Sequence, residues 1–156
     1  MNGDVANLYG TEFTLVRRLD FLPGPLDGIS TYANYTHVHS DAKLPRGDFI
    51  LPGQASNMGN VSVAYEKKGF ASRVALNYQG IYILGIGATP TADTWLDHRL
   101  EVDLSVSQKI NKHFRVFIDT LNLANRPYRV YSGSSSYPIQ EERYKIWAIT
   151  GLKVDF

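Results

Sequence analysis

The chain has 156 residues, a formal net charge of +1 and no cysteine. That is enough sequence for one domain, but it lacks the basic excess of a nucleic-acid module and cannot form a disulfide framework or a thiolate metal site. No apolar run reaches the roughly 18–20 residues of a membrane helix, so a helical membrane protein is excluded while membrane strands are not.

In chain order, a first strand is predicted over 5–20, with Tyr9, Thr11, Phe13 and Leu15 on one face and Leu8, Gly10, Glu12, Thr14 and Val16 on the other. Phe21 to Gly28 reads as a turn from its two prolines and two glycines. A second strand over 29–39 has two mixed faces, neither of which the sequence assigns. A polar loop follows over 40–55, containing Pro45, Gly47, Pro52 and Gly53. The third strand, 57–67, sets Val61, Val63 and Tyr65 against Asn60, Ser62, Ala64 and Glu66. Lys68 and Gly69 make a tight turn into a fourth strand, 70–83, with Val74, Leu76 and Tyr78 opposite Arg73, Ala75, Asn77 and Gln79.

A loop over 84–95 leads to the clearest alternation in the chain. Leu100, Val102, Leu104, Val106 and Ile110 face one way, with Gln108 the exception, and Glu101, Asp103, Ser105, Ser107 and Lys109 face the other. After a turn at 111–113, Phe114, Val116 and Ile118 oppose Arg115, Phe117 and Asp119. The period slips at Leu121 and Leu123, the mark of a bulge or a strand end. A loop over 125–142 precedes a terminal strand over 144–156. Its apolar face is Tyr144, Ile146, Ala148, Thr150, Leu152, Val154 and Phe156, and its mixed face is Lys145, Trp147, Ile149, Gly151, Lys153 and Asp155.

The expected architecture is therefore all-β, with seven strands and no helix. A globular strand is about 5–6 residues long, whereas a tilted membrane strand needs about 9–11. Short and long connections alternate along the chain, as they do where short turns line one side of a membrane and long loops the other. The polar face of the fifth strand carries Glu101, Asp103 and Lys109. Burying such charges unpaired would cost several kcal/mol or more each, and a wet lumen removes that cost. The ten tyrosines suit an interface that is apolar on one side and wet on the other. The predicted fold is an antiparallel up-and-down transmembrane β-barrel wall. The rival is a soluble lipid-binding barrel, which would stay in solution without detergent. Met1 to Asp4 has neither the basic start nor the apolar core of a signal peptide. The expectation is a piece of a longer chain, or one whose leader has been removed.

Candidate chemistry is sparse. His37, His39 and Asp41 have a spacing that could ligate a metal, but polar residues at the rim of a strand have the same spacing. Asp93, Asp97 and His98 offer too few oxygens for calcium and read as rim residues. The hydroxyls of 132–136 lack a positioned base, so no catalytic residue is assigned. Lys67 and Lys68 read as a solvated turn. Gly85-Ile86-Gly87 has no following helix and is not a phosphate loop. Neither a metal nor a cofactor site is assigned. Tyr128, Arg129, Tyr131 and Tyr137 are candidate ligand-contacting residues in the last loop, since aromatic and arginine side chains suit recognition.

Several pieces, in order, carry a resemblance. They are Gly10-Thr11-Glu12, Ala33-Asn34-Tyr35-Thr36 with Ser40-Asp41, Leu51-Pro52-Gly53-Gln54, Tyr65-Glu66 to Gly69-Phe70, and Arg73-Val74-Ala75-Leu76-Asn77-Tyr78. They continue with Asp97-His98-Arg99, Asp103-Leu104-Ser105, Leu121-Asn122-Leu123-Ala124-Asn125-Arg126-Pro127 and Gly151 to Phe156. In these the chain resembles the C-terminal part of the barrel of a TonB-dependent outer-membrane receptor. The resemblance implies a barrel of about 22 strands with a plugged lumen, of which residues 1–156 would be the C-terminal segment, without the plug domain and the N-terminal barrel strands. It implies uptake of a siderophore-iron, cobalamin or glycan ligand without catalysis, in the bacterial outer membrane. The implied partners are outer-membrane lipid, the TonB complex acting through the missing plug, and a small-molecule or metal-chelate ligand. The barrel-assembly machinery would read the terminal strand, with Phe156 as its signal. The alternative function is a non-transporting outer-membrane barrel, structural or adhesive.

Overall fold

A computed structural model describes residues 5–44 and 46–155. Among these it contains β1 (Ala6–Arg18), β2 (Ile29–Leu44), β3 (Gly47–Phe49), β4 (Asn57–Lys67), β5 (Phe70–Gln79) and β6 (Tyr82–Gly85). There follow β7 (Thr94–Leu96), β8 (Arg99–Lys109), β9 (Phe114–Leu121), β10 (Tyr128–Ser132), β11 (Pro138–Glu142) and β12 (Trp147–Val154). Two short 3-10 turns, Gly24–Gly28 and Pro90–Ala92, are the only helical segments among the described residues.

The seven predicted strands form one antiparallel wall in the order β1-β2-β4-β5-β8-β9-β12, with β3 appended to β2. Each neighbour pair is joined in sequence by the shortest available route, so the topology is up-and-down. β4, β5 and β8 have 11, 10 and 11 residues. Eleven residues at about 3.3 Å each span about 36 Å, and tilted by about 45° they still cross a roughly 25 Å apolar band.

The pairing register settles the faces, because residues directly opposite in a ladder point to the same side. Phe13, Tyr35, Gly59, Tyr78 and Leu100 form one row. Val63, Val74, Leu104, Thr120 and Ala148 belong to another. These rows make the outer face, whose large apolar side chains are exposed, as at Phe13, Val63, Val74, Ile118 and Leu152. On the inner face Thr14, Asn34, Asn60, Asn77 and Glu101 lie in register. The same register assigns the second strand: Thr31, Ala33 and Tyr35 lie outside, and Tyr32, Asn34 and Thr36 inside. Charge on the outer face is confined to strand ends. Lys67 caps the turn before β2, donating to the Gly24 carbonyl at 2.5 Å and the Asp27 carboxylate at 2.6 Å.

The short turns close by local chemistry. Lys68 and Gly69 both have positive φ, 50° and 82°, the two-residue hairpin turn whose twist matches the flanking strands. The Asn111 carboxamide oxygen accepts the N–H groups of His113 and Phe114 at 2.8 and 3.0 Å.

Three sequence expectations need correction. The long connections are not structureless. β11, β10, β7 and β6 form a second, four-stranded sheet in that order, built mainly from the segments read as loops over 84–95 and 125–142, with Tyr82 and Ile83 from the expected end of the fourth strand. Strands of three to five residues are too short to show a readable period. Second, the fourth strand ends at Gln79, not at 83: the Gly80 N–H makes a last in-register bond to the Asn57 carbonyl at 2.8 Å, and Tyr82–Gly85 then pairs in the second sheet; β2 conversely runs on to Leu44. Third, the terminal strand starts at Trp147. Lys145 has φ +63°, which breaks the extended chain, so Tyr144 and Ile146 stand outside the ladder and only its later residues keep their assigned faces.

Candidate ligand-facing site at the loop end

The buried core lies at the end of the wall where the long connections gather. Ile83, Leu96, Val130 and Tyr131 are 2–6% exposed, and all four belong to the second sheet. β7 pairs with β10 through Leu96–Val130, Trp95–Tyr131 and Thr94–Ser132, so the connection before β8 and the one after β9 are zipped into one body. A wall facing lipid and lumen has no dry side on which to bury such side chains. Its connections do, by packing on each other.

Two ion pairs fasten this body. Arg46 donates to Asp93, which also accepts the Gly87 N–H at 2.8 Å. The Arg46 hydrogen bond outweighs burial and holds the Asp93 carboxyl below its ordinary range. Arg46 also stacks on the Phe49 ring, 4.8 Å from its centroid. In the second pair, Arg129 Nη1 donates to Asp97 at 3.0 Å, and the guanidinium lies 3.6 Å from Glu141. Burial pushes the Asp97 carboxyl up. Hydrogen bonds from Arg129 and the His98 amide, with His98 beside it, reverse this and leave it lowered. Burial, reinforced by the Asp97 charge, raises the Tyr131 phenol, so it stays protonated.

The sequence-predicted residues therefore divide. Tyr131 is buried and Arg129 is engaged by carboxylates, so both hold the shape of the body. Tyr128 is half-buried. Tyr137 is 70% exposed on the loop closed by the bond from the Ser132 N–H to its carbonyl, 3.1 Å. Asp93 and Asp97 each anchor a connection. His37 and His39 both point to the outer face, His37 beside Asn57 at 2.9 Å and His39 beside Asp41 at 3.3 Å. Among the described residues no group of three His, Asp or Glu side chains is placed to hold a metal. Ser132 donates to the Thr91 carbonyl at 2.9 Å. Phe156 lies outside the described residues.

Sequence reasoning passed over Asn122 as a determinant of this end. It is 6% exposed with φ +54°. Its amide donates to the Arg126 and Lys145 carbonyls at 3.1 and 3.4 Å, its side-chain oxygen accepts the Arg126 N–H at 2.8 Å, and its own N–H reaches Asp103 at 3.0 Å. It turns the chain out of β9 and ties in the segment that enters β12. The slip of alternation at Leu121 and Leu123 was its signal.

No family model matches the sequence, and no curated protein matches it. Solved structures do. The unliganded ferric citrate transporter FecA aligns over 96% of this chain with a TM-score of 0.76 at 14% identity, covering 24% of the FecA chain. The siderophore receptor PiuA from Acinetobacter baumannii aligns over 96% with a TM-score of 0.67 at 12% identity, covering 22% of its chain. The chain thus spans about a quarter of the length of either protein. One of these similar structures is a transporter and the other a receptor. The fold is accordingly the antiparallel wall of a transmembrane β-barrel, of the kind found in TonB-dependent outer-membrane receptors.

Proposed function

We propose that the chain is the C-terminal segment of the barrel domain of an outer-membrane receptor that takes up a scarce ligand of the siderophore-iron, cobalamin or glycan class. The observation that carries this is the two-faced wall with two free edges. β1 and β12 are not paired with each other among the described residues, and unpaired backbone groups in hydrocarbon cost several kcal/mol each. Further strands must cover these edges, as in a larger closed barrel. The outer face then meets outer-membrane lipid and the inner face encloses the route of the ligand. A plug elsewhere in the protein would receive the pull of the TonB complex. The barrel-assembly machinery would engage β12 and the terminal Phe156, whose deletion is expected to lower insertion. No catalytic step is assigned. At the loop end, Arg129 and Tyr131 set the shape, while Tyr128 and Tyr137 are the residues offered to an arriving ligand.

Refolding residues 1–156 alone in detergent, then measuring mass and conductance, tests the wall reading. The expected result is aggregation or ill-defined oligomers. A stable monomer with a defined pore would replace it with a small self-contained barrel. For transport, uptake of labelled ligand by cells with and without the gene, with and without an uncoupler, should show a gene-dependent component that the uncoupler abolishes. Full membrane insertion with no such component for any of the three ligand classes would leave a structural barrel instead.

A further inference from the structure

The outer face of the wall carries a concavity at its turn end. Tyr65, near the end of β4, and Phe70, at the start of β5, both lie on the outer face in the register. Their rings meet with centroids 6.1 Å apart, tilted by 51°. Both are half-buried, whereas Val61, Val63, Val74 and Leu76 on the same face are exposed. With Pro25, Lys67 and Lys68 the two rings line a space of about 470 Å³. Paired strands border it on both sides, β2 beyond β4 and β8 beyond β5. Strands added at β1 and β12 would therefore join the wall elsewhere, and a plug would fill the opposite face.

Two features hold this space in shape. Gly28 lets the turn before β2 lie against β4: a Cβ there would stand 2.3 Å from the Glu66 carbonyl oxygen and 3.3 Å from Tyr65 Cε2. Lys67 clamps the same turn through Gly24 and Asp27, which uses two of its three N–H donors and leaves the third. Lys68, at the tip of the hairpin, is exposed and has no carboxylate within ion-pair distance among the described residues. Asp27 pairs with Lys67 from outside the lining. A group entering the concavity meets two ammonium groups over an aromatic floor.

We propose that this concavity seats the headgroup of an anionic phospholipid from the turn-side leaflet, which is periplasmic in barrels of this kind. Aromatic side chains collect at headgroup level, and lysines at that level attract anionic lipid. The phosphate sits between Lys67 and Lys68, whose ammonium groups act as point charges toward it. The acyl chains run over Ser72, Val63 and Val74, which occupy the next two outer rows of β4 and β5. The register thus sets cations, aromatic rings and aliphatic side chains in the order that a lipid lying along the wall requires. The inference rests on the outer face being the lipid-facing one, as proposed above, and adds the class of lipid and the place where it is held.

The test uses the full-length protein in a non-ionic detergent. Native mass spectrometry counts the lipids retained as phosphatidylglycerol, phosphatidylethanolamine or phosphatidylcholine is added. One phosphatidylglycerol should be held about tenfold more tightly than either zwitterionic lipid. Lys68→Asn should weaken its retention about fivefold, the effect of one lysine beside anionic lipid, while keeping the hairpin, since Asn-Gly favours the two-residue turn. Lys112→Gln, which removes a charge from the neighbouring turn between β8 and β9, should leave retention unchanged. Heat-modifiable gel mobility and insertion into liposomes establish that each variant is folded. Equal retention of the three lipids, tighter binding of phosphatidylethanolamine, no effect of Lys68→Asn, or an equal loss with Lys112→Gln overturns the site while leaving the barrel reading intact. A protein dimer that Lys68→Asn dissolves would assign the surface to a second copy of the chain instead. Full-length protein that fails to insert at all would count against the barrel itself.

Discussion

Arg129 and Asp97 hold each other twice: Arg129 Nη1 donates to the Asp97 carboxylate at 3.0 Å, and the Asp97 N–H donates to the Arg129 carbonyl at 2.9 Å. Their side chains are only 26% and 18% exposed. Removing Arg129 takes the guanidinium from the part-buried Asp97 carboxylate and leaves it only His98, at a cost of about 1–3 kcal/mol. Arg129→Ala should therefore speed amide exchange in Thr94–Leu96 and Tyr128–Ser132 while leaving the wall strands as slow as before. Unchanged exchange there would mean the main-chain ladder alone holds the body together.

The Arg46–Asp93 pair should make the same body sensitive to acid. The Asp93 carboxyl lies below its ordinary value of 3.8 when folded, so the pair contributes stability above that value. The contribution is lost as pH falls from there through the depressed folded value. Proteolysis of the connection around Gly87–Asp93 should accelerate at low pH, and Asp93→Asn should flatten this dependence while raising the neutral-pH rate. An identical pH profile in the variant would assign the acid response to other groups.

Leu152 and Lys153 are neighbours on opposite faces of β12, opposite Val116 and Arg115 respectively. Leu152→Arg places a charge on the outer face, at up to about 2–4 kcal/mol in mid-bilayer. Lys153→Leu removes a charge from the inner face and should cost much less. Folded yields in liposomes compare the two, and equal yields would contradict the assignment of faces.

Asn122→Ala should be among the more damaging single changes at the loop end. It strands the Arg126 N–H and the Arg126 and Lys145 carbonyls, and it puts an alanine at φ +54°. A loss of about 2–3 kcal/mol is expected from the unsatisfied groups and the strain together, read by denaturant titration in detergent. Asn122→Gly, which removes the bonds but not the backbone freedom, should recover part of it. Equal losses would place the whole effect in the side-chain bonds.

The alternation of residues by itself determined the wall. Val61, Val74, Val102 and Val116 fall on the outer face in the register just as their spacing required, because a period of two admits no other placement once one face meets an apolar phase. The second strand was opaque for the same reason: Tyr32 and Tyr35 fall on opposite faces, and only pairing with β1 and β4 separates them. The loop-end body was beyond local pattern altogether. Nothing in the residues around Asp97 announces that Arg129, 32 positions later, will close on it, because β7 and β10 acquire their strand character from each other. The same holds along the wall: Arg73, Arg115 and Lys153 are single polar positions in three strands, and only the order β5-β8-β9-β12 sets them on one inner face. Periodicity reports the environment of a face, whereas a site depends on which strands are neighbours, and that is decided by long-range hydrogen bonding.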